Sequence, residues 1–159
     1  MCFSNVHATI ESIKNRELRS AINESCFSVT DGMPLVIALR LLYGIKQDRI
    51  PGMDFMPDLM KVAETRNEKV FFYGSSEGVL NEIENRARQE FPKLIIAGKI
   101  SPPFRALTSK ELDSYVERIN DSGAKYIFVG LGCPKQEIWM AENCSRIKGL
   151  LLGVGGAFE

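Results

Sequence analysis

The chain has 159 residues, with 20 Lys plus Arg balanced by 20 Asp plus Glu, and 45% of its residues are hydrophobic. That length is one domain with room for a real core, and the apolar content excludes a disordered chain. A formal net charge of zero argues against a dedicated nucleic-acid binder, which carries a basic excess.

Short β-rich runs alternate with amphipathic stretches. Met1 to Val6 reads as the end of a strand, and Cys26 to Thr30 as the next. A helix is expected to begin near Pro34. Lys69 to Tyr73 is a third strand. Val79, Ile83 and Ala87 then recur at helical spacing, and Phe91 continues the stripe until Pro92 stops it. Lys93 to Ala97 predicts a fourth strand. Thr108-Ser109-Lys110-Glu111 is a capping-box signature opening a helix with Leu112, Tyr115, Val116 and Ile119 on its apolar face. Ser122-Gly123 closes it. Tyr126 to Val129 and Leu150 to Val154 complete the strands. These runs are apolar on both faces, as a parallel sheet covered by helices requires. The alternation predicts an α/β fold over residues 1–159: a single domain with a Rossmann-like doubly wound, mostly parallel sheet.

The four cysteines (Cys2, Cys26, Cys133, Cys144) form no CxxC pair, and His7 is the only histidine. No metal site of the Cys/His kind is expected, and the thiols read as reduced and cytosolic. No signal-peptide pattern follows Met1. The longest apolar stretch, Gly149 to Phe158, is about half of a spanning helix.

In open α/β sheets, ligands bind beyond the carboxyl ends of the strands, so the loops there are the places to look. Gly130-Leu131-Gly132-Cys133-Pro134-Lys135 is the sharpest. Glycines let backbone approach an anion, and Pro134 is placed as the first residue of a helix whose N–H groups face the ligand. Lys135 and Gln136 would sit in its first turn, within reach of a phosphate or a base. The alternative is a tight turn without ligand. The run is not a Rossmann GxGxxG, because Lys135 occupies the third glycine's place, nor a Walker A loop. Asp31 follows a strand and precedes Gly32, which suits a general base but equally a helix N-cap. Asp54 carries the same ambiguity. Arg49 is either a phosphate clamp or a solvated charge.

Five blocks occur in order: Asn5-Val6-His7, Thr30-Asp31-Gly32-Met33-Pro34-Leu35-Val36, Arg49-Ile50-Pro51-Gly52-Met53-Asp54, Val129 to Glu137 with its Pro134-Lys135-Gln136-Glu137, and Gly153-Val154-Gly155-Gly156-Ala157-Phe158. Together they resemble the WecG/TagA/CpsF family of bacterial glycosyltransferases, over essentially the whole chain. The resemblance implies an inverting, metal-independent transfer of a sugar, N-acetylmannosamine or a relative, from a UDP-sugar. The acceptor it implies is N-acetylglucosamine on undecaprenyl diphosphate, at the inner face of the bacterial membrane, for cell-surface polysaccharide or teichoic acid. No cofactor and no nucleic acid is implied. By motif, Asp31 matches the catalytic base. Arg49 matches a residue near the donor phosphates, Gln136 a nucleotide contact, and Asn5 a polar residue of the same pocket. Gly130, Gly132, Pro134 and Lys135 form the nucleotide-sugar loop, with Thr30, Asp54, Glu137 and Glu159 as further candidates. Phe3 stands where relatives often carry Thr, and Glu159 where they often carry Asp. A second reading keeps the fold and pocket as a non-catalytic nucleotide-sugar-binding remnant. A nicotinamide oxidoreductase is disfavoured by Lys135.

The family continues into a C-terminal membrane-contacting segment, and the chain reads as a core lacking it and most of the first β/α unit. Two expectations follow. The strand at Leu150 to Val154 would be left exposed and promote homo-oligomers. With zero net charge and no basic amphipathic helix, the chain would associate little with bilayers.

Overall fold

A computed structural model describes residues 1–158. Six strands form one all-parallel sheet: β1 (Cys2–Ser4), β2 (Ser28–Thr30), β3 (Lys69–Gly74), β4 (Ile95–Ile100), β5 (Tyr126–Gly130) and β6 (Leu150–Gly153). Their order across the sheet is β2-β1-β6-β5-β3-β4. Seven helices connect them: α1 (Val6–Lys14), α2 (Arg16–Asn23), α3 (Met33–Tyr43), α4 (Gly52–Thr65), α5 (Glu77–Glu90), α6 (Ser109–Ser122) and α7 (Lys135–Asn143). A 3₁₀ turn, Gly155–Phe158, follows β6.

Strand alternation divides the core into two layers. Val70, Phe72, Tyr126, Phe128 and Leu152 face α4, α5 and the 3₁₀ turn. Phe71, Tyr73, Ile127, Val129 and Leu151 face α6 and α7. Both faces are covered, which is why these strands are apolar throughout rather than alternating. The capping box of α6 forms as its spacing predicts, with Thr108 and Glu111 bonding reciprocally. Arg105 clasps the Glu111 carboxylate with two hydrogen bonds. That clasp, with the Thr108 N–H and hydroxyl, holds Glu111 down to about 2.

The doubly wound topology is as expected, with three corrections. The strand expected at Lys93 to Ala97 begins later, at Ile95, and runs to Ile100. Phe91-Pro92-Lys93 turns instead, and a register shift in the β3–β4 pairing lets Gly98 sit against the Phe71 ring, where a Cβ would fall 2.6 Å from it. A helix that the sequence reading leaves out follows Arg49: Pro51 is the N-cap of the fourteen-residue α4. The expectation of an exposed last strand fails outright. β6 lies inside the sheet between β1 and β5, and Leu151, Leu152 and Val154 are buried.

Candidate active site

The connection from β3 leads outward to β4, whereas the connection from β5 leads the opposite way to β6. Adjacent strands whose crossovers diverge open a crevice at their carboxyl ends, where ligands of such sheets bind. Here that crevice is a cavity of about 660 Å³, within the range of small-molecule sites. Two glycines make the crevice. A Cβ on Gly74 would stand 2.3 Å from the Gly130 carbonyl oxygen, and one on Gly130 would stand 2.3 Å from the Phe158 ring. β3 and β5 therefore meet this closely only because Gly74 lacks a side chain, and the Phe158 ring packs on β5 only because Gly130 does. Tyr73 stacks on Trp139 at 4.2 Å between ring centroids to form one wall, and Phe158 another. The segment from Pro102 to Leu107 closes the outer side. Ser101 anchors that segment by donating to the Ser75 carbonyl at 2.7 Å.

A second cavity of about 210 Å³ adjoins it beyond β1 and β6. The two share Gly132, Gly155 and Gly156. Asn5, His7, Asp31, Cys133, Gln136 and Glu137 line the smaller one.

Asp31 is half-buried at the end of β2, its N–H donating to Ser4. The cap of α3 is Gly32, with no side-chain cap bond, so the Asp31 carboxylate does not serve as the cap and faces the cavity. Burial raises its pKa above the ordinary carboxylate value. Arg49 pulls it back down and Asp54 pushes it up. Arg49 and Asp54 pair at 3.8 Å on the exposed rim, outside the lining of both cavities.

Asn5 is engaged: its side chain accepts from the Ala8 N–H and caps α1. Thr30 is buried and its hydroxyl donates to the Asp48 carbonyl. It thereby fixes the segment that carries Arg49. Pro134 is the N-cap of α7 rather than its first residue. The Gln136 N–H is taken by the Gly132 carbonyl at 2.9 Å, so it does not face a ligand as expected. Lys135 turns to the larger cavity and Gln136 to the smaller. The Gln136 amide is buried, donating to Glu137 Oε1 at 2.7 Å and to the Gly153 carbonyl at 3.0 Å. Glu159 lies outside the described residues.

Three buried polar atoms have no hydrogen-bond partner among the described residues: Gln136 Oε1, Glu137 Oε2 and Trp139 Nε1. All belong to α7, the wall between the cavities, and such atoms ask for a polar ligand or water. Burial, and then Glu137, push the Cys133 thiol up to about 12, so it is an inert neutral group at neutral pH. The aromatic wall and the Pro102 to Leu107 rim escape sequence reading. The rim's place in a loop after a strand is legible, but the stacking of Tyr73 on Trp139 joins residues from β3 and α7.

A profile of the family described as "Glycosyl transferase WecG/TagA/CpsF family" matches residues 1–159. The N-acetylglucosaminyldiphosphoundecaprenol N-acetyl-beta-D-mannosaminyltransferase of Staphylococcus aureus strain NCTC 8325 / PS 47 is 31% identical over 139 residues. The match covers 87% of this chain and 53% of that relative. The proteins of the same description from strains COL and MRSA252 give the same figures. The chain spans about half the length of the curated relatives it matches.

Proposed function

Because the chain belongs to the WecG/TagA/CpsF glycosyltransferase family, we propose that residues 1–159 form the catalytic core of a sugar transferase. In this reading it moves a sugar from a UDP-sugar to a lipid-linked acceptor. By analogy with the relatives' names, the sugar is N-acetylmannosamine and the acceptor N-acetylglucosaminyl-diphosphoundecaprenol. The observation that carries the reading is the uncapped carboxylate of Asp31, set in a small polar cavity that opens into a larger aromatic-walled one.

The larger cavity takes the nucleotide, its base against the Tyr73–Trp139 wall. The diphosphate crosses the shared glycine rim at Gly132, Gly155 and Gly156, and the sugar enters the smaller cavity. The acceptor hydroxyl gives its proton to Asp31 as its oxygen forms a bond to the anomeric carbon. The bond from that carbon to the phosphate oxygen breaks, and UDP leaves with the electron pair. Attack opposite the leaving group inverts the anomeric centre. Lys135, which lines the larger cavity, offsets the charge that develops on the diphosphate, while Arg49 on the rim acts on the Asp31 carboxylate. In this reading the protein acts peripherally at the inner face of the bacterial membrane, where a lipid-linked acceptor is held. Among the described residues no helix is long and apolar enough to cross it.

Thermal unfolding with added UDP tests the pocket. A ligand at about a hundred times its Kd stabilises the fold by about 2.7 kcal/mol. For a chain of this size that is a rise in Tm of about 5–10 °C. A transfer assay on the lipid-linked acceptor with Asp31→Asn tests the base. No response to UDP, or full transfer by Asp31→Asn, overturns the reading.

A further inference from the structure

α3 is apolar over nearly its whole length, yet none of its residues is buried. Its last turn is bare: Leu41 is 79% exposed, Leu42 73% and Tyr43 72%, with Ile45 just beyond at 48%. Successive helical residues point about 100° apart. Met33 and Ile37, each 50% exposed, line up with Leu41 as a stripe along α3, while Leu42 and Tyr43 carry the apolar surface off that stripe and around the end of the helix. A packed partner helix covers a stripe of roughly 100° and would leave part of this set in water. A fluid apolar slab surrounds all of it.

The charges around the tip agree. Residues 33–50 hold Arg40, Lys46 and Arg49 against a single acid, Asp48, in a chain of zero net charge. Arg49 is tied to Asp54, while Arg40 and Lys46 form no ion pair among the described residues. Exposed cations beside an apolar tip suit anionic headgroups, and Tyr suits the boundary between headgroup and hydrocarbon. Net charge alone predicts weak bilayer association; this local arrangement points the other way.

We propose that the carboxyl-terminal end of α3, with Leu41, Leu42, Tyr43 and Ile45, enters the surface of an anionic lipid bilayer. α3 starts directly after Asp31 and Gly32 and rises about 15 Å along its axis. It thus holds Asp31 a helix length above the bilayer surface. The orientation deepens the reading of Asp31 as the base for a lipid-linked sugar and rests on it. The lipid contact itself rests on α3.

Flotation of the 159-residue chain with vesicles of phosphatidylglycerol and phosphatidylcholine in roughly equal parts tests it, with pure phosphatidylcholine for comparison. The expected result is binding to the anionic vesicles, at least tenfold weaker for the pair Leu41→Glu and Leu42→Glu. Binding should also weaken severalfold in about 0.5 M salt, where surface charges are screened. Ile95→Glu, on the opposite edge strand, should bind as the parent does. Both leucines are exposed, so circular dichroism and Tm of the pair variant should match the parent. Tyr43→Trp should shift its emission to the blue with anionic vesicles. Absence of flotation, or flotation unchanged by the leucine pair, overturns the proposal. So does a dimer that the pair variant dissolves and that anionic vesicles do not bind, because the surface then mates two copies. Asp31→Asn should float normally. A chain that floats but does not respond to UDP defeats the sugar-transfer reading and leaves this one standing.

Discussion

Asp31 can act as a base only while it is ionised, and its neighbours set the pH at which that happens. Its carboxyl titrates above the ordinary value because it is partly buried. Turnover should therefore rise as pH climbs through that raised value. Arg49→Ala removes the charge that lowers it, so the acid limb of kcat/KM should move to higher pH. Asp54→Asn removes a charge that raises it, so the limb should move to lower pH. Limbs that coincide in both variants and the parent would mean that another group governs the step. Asp31→Asn itself should lower turnover by about 10²–10⁴ while UDP affinity holds. Gln136 calls for a different measurement. Its amide is spent on Glu137 and the Gly153 carbonyl, so Gln136→Ala leaves buried acceptors unpaired. That should cost about 1–3 kcal/mol of stability, read from denaturant unfolding. At this scale the position of Asp31 was legible because an acid before glycine at a strand end is a local pattern. Its release from capping was not, since Gly32 takes that role through backbone geometry. The Gln136–Glu137 pair was hidden too: a polar dipeptide early in a helix looks solvated until β6 is laid across it.

Elements with local punctuation were the readable ones. α5 and α6 announce themselves by apolar spacing, by the capping box at Thr108, and by a stop at Pro92 or Gly123, whereas the Ser76 cap of α5 shows only in the structure. Thr108→Ala should cost about 1 kcal/mol, because the hydroxyl accepts from the N–H of Glu111. α4 was missed because Pro51, Gly52 and Pro57 look like breakers. Pro51 instead sits at the cap, where its missing N–H costs nothing, and Asp54 complements the first turn. β4 began two residues late because Pro92-Lys93 turns before the strand starts. Strand ends are also where packing is least forgiving. Gly130→Ala would drive a methyl into the Phe158 ring, so the wall of the larger cavity must move. We expect loss of UDP response together with a lowered Tm, whereas Gly156→Ala, with open space at its Cβ, should keep the fold.

At the scale of the whole molecule, the parallel sheet was legible from strands apolar on both faces, but the strand order was not. Nothing local in Leu150 to Gly153 says that it fills the gap between β1 and β5. Stability against acid is also a property of the whole. Glu68, Glu84 and Glu111 are held below the ordinary glutamate value by Lys125, Lys99 and Arg105 respectively. Each contributes stability that is fully present above the unfolded value near 4.5 and is lost as pH falls through the lower folded one. Tm should therefore drop between about pH 4.5 and 2, less steeply in Arg105→Ala, which frees Glu111. The raised Asp31 acts oppositely, since its protonation removes a penalty of burial.

The place of β6 decides when this protein can exist at all. β1 and β2 touch the rest of the sheet only through it: Cys2 pairs with Gly153, and the Met1 amine donates to the Leu151 carbonyl across 150 positions. During synthesis at about 5–20 residues per second, the β1–β2 pair therefore waits roughly 6–24 seconds for its neighbour. For that interval the inner edge of β1 is open with Phe3 beside it, and over its last few seconds the edge of β5 is open as well, with Ile127 and Val129. A nascent chain arrested before Leu150 should be bound by hydrophobic-binding chaperones and cut readily by protease. Release of four more residues should end both at once. β6 works as a keystone, set between two groups of strands that are made before it.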